Sequence, residues 1–197
     1  MKKPSTAQIE TATALKKALS RRDRDAVVHL LEAGASPDGL PGHEPPLFAL
    51  ARRGEVGLME VLLAAGANVD ALFFQNETAL HVAAAQLQAG AVACLLAHGA
   101  DVNAVDGQVR PPLLVAAFHA YIHRNNPDDK RGENVARLLF EAGADVHFTT
   151  YGTTVTTFDV LAKWLELQMQ VKAEQTNRLL TELTPAATGP DRPGKIM

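Results

Sequence analysis

The chain has 197 residues, with 19 Lys and Arg against 22 Asp and Glu, for a net charge of −3 at neutral pH. That balance argues against nucleic acid, because binding by counterion release needs a clear basic patch. With 47% hydrophobic residues, 21% charged and no apolar run near the roughly 18 residues of a membrane helix, the composition is that of a globular chain forming one elongated domain.

In chain order, residues 1–10 are expected to form a loose lead-in. Lys2 and Lys3 run into Ser5-Thr6-Ala7-Gln8 and not into an apolar stretch, so the start does not read as a secretory signal and a cytoplasmic location is expected. The next segment, 11–43, opens with the polar phrase Thr13-Ala14-Leu15-Lys16-Lys17-Ala18 and closes a second helix at Leu30-Leu31-Glu32-Ala33-Gly34-Ala35. Segment 44–76 carries Pro45-Pro46-Leu47-Phe48-Ala49-Leu50-Ala51 and then Leu62-Leu63-Ala64-Ala65-Gly66-Ala67. Segment 77–109 carries Thr78-Ala79-Leu80-His81-Val82-Ala83-Ala84 and then Leu95-Leu96-Ala97-His98-Gly99-Ala100. In each unit the paired leucines mark the buried end of a helix, and the glycine supplies the positive φ that stops it. Asn103 and the Asp106-Gly107 dipeptide then close a tight, hairpin-like loop.

Segment 110–153 repeats the pattern with Pro111-Pro112-Leu113-Leu114-Val115-Ala116-Ala117 and Leu139-Phe140-Glu141-Ala142-Gly143-Ala144, spread by an insertion at about 120–134. Phe118, Tyr121 and Ile122 carry a helical pattern past its usual end, while Asn125 to Gly132 has the composition of an exposed loop. A fifth unit, 154–183, opens with Thr156-Thr157-Phe158-Asp159-Val160-Leu161-Ala162 but has no Gly-Ala ending, and 184–197, rich in proline and glycine, reads as a disordered tail. Two phrases recurring in step at a period near 33 define a unit of two helices and a turn.

These phrases resemble those of the ankyrin repeat family, T-P-L-H-x-A at the start of an inner helix and V-x-x-L-L-x-x-G-A at the end of an outer one. Thr78-Ala79-Leu80-His81-Val82-Ala83 is the closest match. The resemblance covers residues 11 to about 167, with weaker cover to 183. It implies an all-α solenoid of helix-turn-helix units, about five of them, the outer two acting as polar caps. It also implies that His81 is structural, hydrogen-bonding locally and to the neighbouring unit, with Asp159 in the matching place of the last unit.

Catalytic chemistry finds little support. Ser5, Ser20 and Ser36 are the only serines and none lies in a nucleophile turn; no phosphate-cradling glycine loop is present. Asp128 and Asp129 are adjacent and so share no helix face. His119 and His123 stand four apart, a zinc-like spacing, with Asp128 or His147 as conceivable third ligands, but no cysteine is near. Ordinary exposed or partly packed histidines are the better reading, and neither metal nor cofactor is expected. Cys94 aligns with His29, Val61 and Leu138, a core position, and as the single cysteine can form no internal disulfide.

The function implied by the resemblance is a non-catalytic protein-binding module gripping one protein partner through a concave face and turn tips, as an inhibitor, an immunity protein or an adaptor. The tips carry Leu72, Phe73, Phe74 and Gln75, then Val105, then Thr150 and Tyr151, where the family usually has charged or small polar residues. On the inner helices the matching pairs include Arg52 and Arg53, Phe118 and His119, and Lys163 and Trp164. Exposed aromatics beside arginine are the composition of interface hot spots. Three alternatives stand beside this reading: Phe73 or Phe74 folds back over a neighbouring turn, Trp164 seals the last unit, and Arg52 and Arg53 form a solvated face. The alternative functions are a homodimer paired through apolar tips, in place of the expected monomer, and, behind it, a metal-binding or catalytic protein on the same scaffold. Of the cations in the first two units, Arg21, Arg22, Arg24, Arg52 and Arg53 are interspersed with Asp23, Asp25 and Glu55, which leaves little for nucleic acid.

Overall fold

In the computed structural model, residues 4–122 and 130–145 are described here. They form eight α-helices: α1 Thr6–Arg21, α2 Arg24–Glu32, α3 Pro46–Arg53, α4 Val56–Ala64, α5 Ala79–Ala85, α6 Ala89–Ala97, α7 Pro112–Ile122 and α8 Arg131–Glu141. Among the described residues there is no strand, and one short 3-10 turn, Phe74–Asn76, lies between α4 and α5. Helices pair in sequence, α1 with α2 through α7 with α8. The odd-numbered helices then pack as an inner row, α3 on α5 and α5 on α7, and the even-numbered ones as an outer row, α4 on α6 and α6 on α8. This is the all-α solenoid the repeat implies.

Why the outer helices stop is visible four times over. Gly34, Gly66, Gly99 and Gly143 sit at φ +91°, +86°, +82° and +90°. The alanine after each glycine donates its N–H back to a carbonyl five residues earlier, from Ala35 to Leu30 at 2.9 Å, Ala67 to Leu62 at 3.0 Å, Ala100 to Leu95 at 3.1 Å and Ala144 to Leu139 at 3.0 Å. That bond satisfies a helix-end carbonyl and tucks a buried alanine under the turn.

At one register position of every inner helix stands a leucine, Leu15, Leu47, Leu80 or Leu113, that is fully or almost fully buried, and the outer helices add Val27, Leu62, Leu95 and Leu139. The inner helices approach one another through small side chains. Ala51, Ala84 and Ala117 occupy one register position and are all buried; α1 has Leu19 there instead. Units are also tied by a ladder at the turns. The side-chain oxygen of Asp38 accepts the Asn68 N–H at 2.8 Å, Asp70 accepts Asp101 N–H at 3.0 Å, and Asn103 accepts Asp145 N–H at 2.8 Å. Asn103 thus bridges to the next unit as well as shaping its own turn.

Two boundaries differ from the sequence expectation. The expected lead-in, 1–10, overlaps α1, which begins at Thr6 because Ser5 and Gln8 form a reciprocal capping box: the Ser5 hydroxyl accepts Gln8 N–H and the Gln8 side chain accepts Ser5 N–H. In the 120–134 insertion, α7 continues to Ile122, but the stretch with loop composition yields at its end to α8, whose first turn holds Arg131 and a buried Gly132. Residues 154–183 and 184–197 lie outside the described residues.

The ladder generates a stability prediction. Asp70→Ala deletes the side-chain acceptor of the Asp101 N–H, so it should cost about 1 kcal/mol in urea unfolding, whereas Glu60→Ala on the exposed face of α4 should change little. Equal midpoints for the two variants would remove the ladder from the account of stability.

Candidate protein-binding surface

The loop from α4 to α5 turns back on itself over Phe73 to Glu77. Phe73 N–H donates to Glu77 O at 3.1 Å, and Asn76 N–H donates to Phe73 O at 2.9 Å. Gln75 and Asn76 both adopt positive φ, +57° and +54°, as the two central residues of a hairpin turn of this hand require. The result separates the two aromatics. Phe73 is half-buried and meets Phe48 edge-on, ring centroids 5.9 Å apart at 78°, so it folds back and anchors the tip. Phe74 is 70% exposed, with Leu72 beside it in sequence at 61%.

The next tip is built on Asp106, which is buried. Its Oδ1 accepts the N–H groups of Gln108 and Arg110, both at 2.9 Å, and its Oδ2 accepts Arg110 Nε at 2.8 Å and Nη2 at 2.6 Å. Burial pushes the Asp106 carboxyl up, but the Arg110 guanidinium and the two backbone N–H donors outweigh it, so the carboxyl titrates below its ordinary value. This clamp holds Val109 at φ +57°, a genuine outlier for a β-branched side chain. Val105 on the same tip is 42% exposed. The two tips are joined: Gly107 N–H donates to Gln75 O, and Gln108 Nε2 donates to Gln75 Oε1 at 3.4 Å. A side chain at position 107 would meet the Gln75 carbonyl oxygen at 2.9 Å, so the contact requires glycine.

His81 fixes the base of this pair. Its Nε2 donates to Arg110 O at 2.9 Å, which leaves Nδ1 to accept Thr78 N–H at 3.2 Å and the Thr78 hydroxyl at 2.9 Å. Burial lowers its pKa from the ordinary 6.5, and the favourable contributions of Arg110 O, Asp106 and Glu77 do not restore it. The ring is therefore neutral at pH 7.

The remaining sequence candidates fall into three groups. Phe118 is 52% exposed on α7 and lies edge-on to the half-buried His119, ring centroids 6.0 Å apart. Arg52 is bonded to Glu44 at 2.7 Å, while Arg53 at 2.7 Å and Arg22 at 3.1 Å share one oxygen of Glu55, so these arginines are exposed but matched by carboxylates. Tyr151 and Trp164 lie outside the described residues, as do His123, Asp128 and His147; among the described residues no three His, Cys, Asp or Glu side chains gather as a metal site. Cys94 is buried, and burial raises its thiol pKa. Sequence reasoning missed two exposed apolar residues, Ile9 at 44% and Phe140 at 63%. Ile9 lay in the supposed lead-in, and Phe140 shares its register with Leu31, Leu63 and Leu96, which are buried or half-buried.

A family model described as ankyrin repeats (3 copies) matches residues 15–106 and 47–150. The chain belongs to the ankyrin repeat family. Such repeats generally serve as protein-protein interaction modules and are typically non-catalytic. A comparison with curated proteins found no significant match. Among the described residues no helix is long and apolar enough to cross a membrane.

Two predictions follow from the tip geometry. Because the folded His81 resists a proton that the unfolded chain accepts, its contribution to stability is complete above about pH 6.5 and declines as pH falls from there. Thermal melting between pH 7.5 and 5.5 should therefore fall more steeply for the wild type than for His81→Gln. At position 109, Val109→Asn should stabilise the fold by about 1 kcal/mol, since asparagine tolerates the left-handed region and already occupies the matching place as Asn76. A loss of stability would mean that Val109 packing outweighs its strain.

Proposed function

We propose that this chain is a non-catalytic interaction module that holds one protein partner against its inner helix row and turn tips, acting as an inhibitor, immunity protein or adaptor in the cytoplasm. The observation carrying this reading is the pair of interlocked tips that presents Leu72, Phe74 and Val105 to solvent on a backbone held by Asp106, Gln75 and Phe73. A preformed surface loses little conformational freedom on binding, so a patch of roughly 800 Å² per partner suffices for useful affinity when aromatic anchors enter pockets. Phe118 on α7 is the second anchor, and Arg52 and Arg53 form the polar rim. Tyr151 and Trp164, outside the described residues, belong to the same proposed set. The mechanism needs no metal and no cofactor, and the matched carboxylates of Glu44 and Glu55 speak against nucleic acid as the ligand.

The test is affinity capture from the native cell lysate, wild type against a Phe74→Asp, Phe118→Asp double variant with an unchanged helical spectrum and melting point. One stoichiometric partner, lost or bound at least tenfold more weakly by the variant, is the expected result. Full retention of that partner by the variant overturns the surface. Light scattering across a concentration series separates the homodimer: a monomer keeps a mass of 21.0 kDa throughout.

A further inference from the structure

The seam between the first two units is open where the later seams are closed. α3 packs along α5 and α5 along α7, but α1 rests on α2 and stands off from α3. Two register positions explain this. Where Ala51, Ala84 and Ala117 let inner helices approach, α1 carries the larger Leu19. Where Phe48 is buried with Phe73 on its edge, and His81 is buried and bonds the Arg110 carbonyl of the following unit, α1 carries the exposed Lys16.

The gap is a cleft of about 480 Å³. Its apolar lining comes from Ile9 and Leu19 of α1, Leu40 of the connecting loop, and Ala49 and Leu50 of α3. The loop wall is braced at three points: Gly39 at φ +73° lies against Pro46, His43 N–H donates to Leu40 O at 3.1 Å, and Arg52 pairs with Glu44 at its far end. The charge at the mouth is one-sided. The one lining carboxylate, Glu44, is already matched by Arg52. Arg53 commits only its Nε to Glu55, and Lys16 has no ion-pair partner among the described residues.

We propose that this cleft anchors the protein partner through a segment presenting a bulky aliphatic or aromatic side chain next to a carboxylate. The apolar side chain fills the space between α1 and α3, and the carboxylate pairs with Lys16, assisted by the outer nitrogens of Arg53. The proposal rests on the protein-binding reading above and adds to it the chemistry of the segment that is bound. A volume of this size fits one large side chain with its flanking backbone, and an unmatched ammonium at an apolar mouth selects an acidic neighbour by electrostatic complementarity.

The test is a selection from a random display library of short peptides on the full chain, followed by affinity measurement for the enriched peptides. The expected result is enrichment of leucine, isoleucine or phenylalanine adjacent to aspartate or glutamate. Binding should weaken at least tenfold in Lys16→Glu and in Ile9→Asp, both at exposed positions, and stay within twofold in Glu60→Ala, exposed on α4 and away from the cleft. Enriched peptides that lack carboxylates, or that bind Lys16→Glu as tightly as wild type, overturn the proposal, as does the absence of enrichment over an empty support. Peptides lost in Phe74→Asp but kept in Lys16→Glu overturn the cleft while leaving the tip surface standing. Tight, Lys16-dependent binding of a single-stranded oligonucleotide probe would replace the acidic peptide with a polyanion.

Discussion

The structure depends on the left-handed glycine that ends each outer helix. There the chain reverses within one residue, returns the following N–H to the helix and leaves the next few backbone groups pointing at the neighbouring unit. Two residues beyond Gly66, Gly99 and Gly143, the N–H of Asn68, Asp101 and Asp145 receives a side chain from the preceding unit. Four residues beyond Gly34, Gly66 and Gly99 stands the side chain that gives it, Asp38, Asp70 or Asn103. A helix running one residue further would displace both partners of the rung, so the helix stop sets the spacing of the stack as well as the direction of the chain.

Much of this was legible because it is written more than once. A single Leu-Leu-x-x-Gly-Ala phrase suggests a helix end; repeated at a fixed period with an opening phrase in step, it specifies unit, seam and turn together. What was illegible lay where the repeat lapses. The Ser5 to Gln8 capping box has no counterpart at the same place in the other units, so the repeat pattern alone starts α1 late and leaves Ile9 outside it. The Arg131 start of α8 was hidden in a stretch whose Asn, Asp and Gly content is that of a loop.

At the tips, composition identified an unusual surface without assigning its parts. Phe73 and Phe74 are neighbours of identical chemistry, and only the positive φ of Gln75 and Asn76, which sets the hand of the turn, decides that the first packs on Phe48 while the second faces water. Likewise Asp106 looks like a turn former in sequence, whereas its larger part is the fork to Arg110 that closes the next tip. Side-chain networks of this kind depend on which backbone groups the turn leaves unpaired, and a single sequence does not carry that information.

The strained positions and the exposed apolar ones occur on the same loops. Gln75, Asn76 and Val109 occupy a region that glycine enters without steric cost, yet Leu72, Phe74 and Val105 are displayed on those two turns. Glycine there would relieve the strain and also loosen the turn, since it enlarges the set of conformations open to the backbone. The bulkier residues restrict that set, and the bonds from Gln75 to Gly107 and Gln108 make each tip a support for the other. A tip held this way has already lost freedom that binding would otherwise remove, so in the proposed complex its exposed side chains would convert more of their contact into affinity.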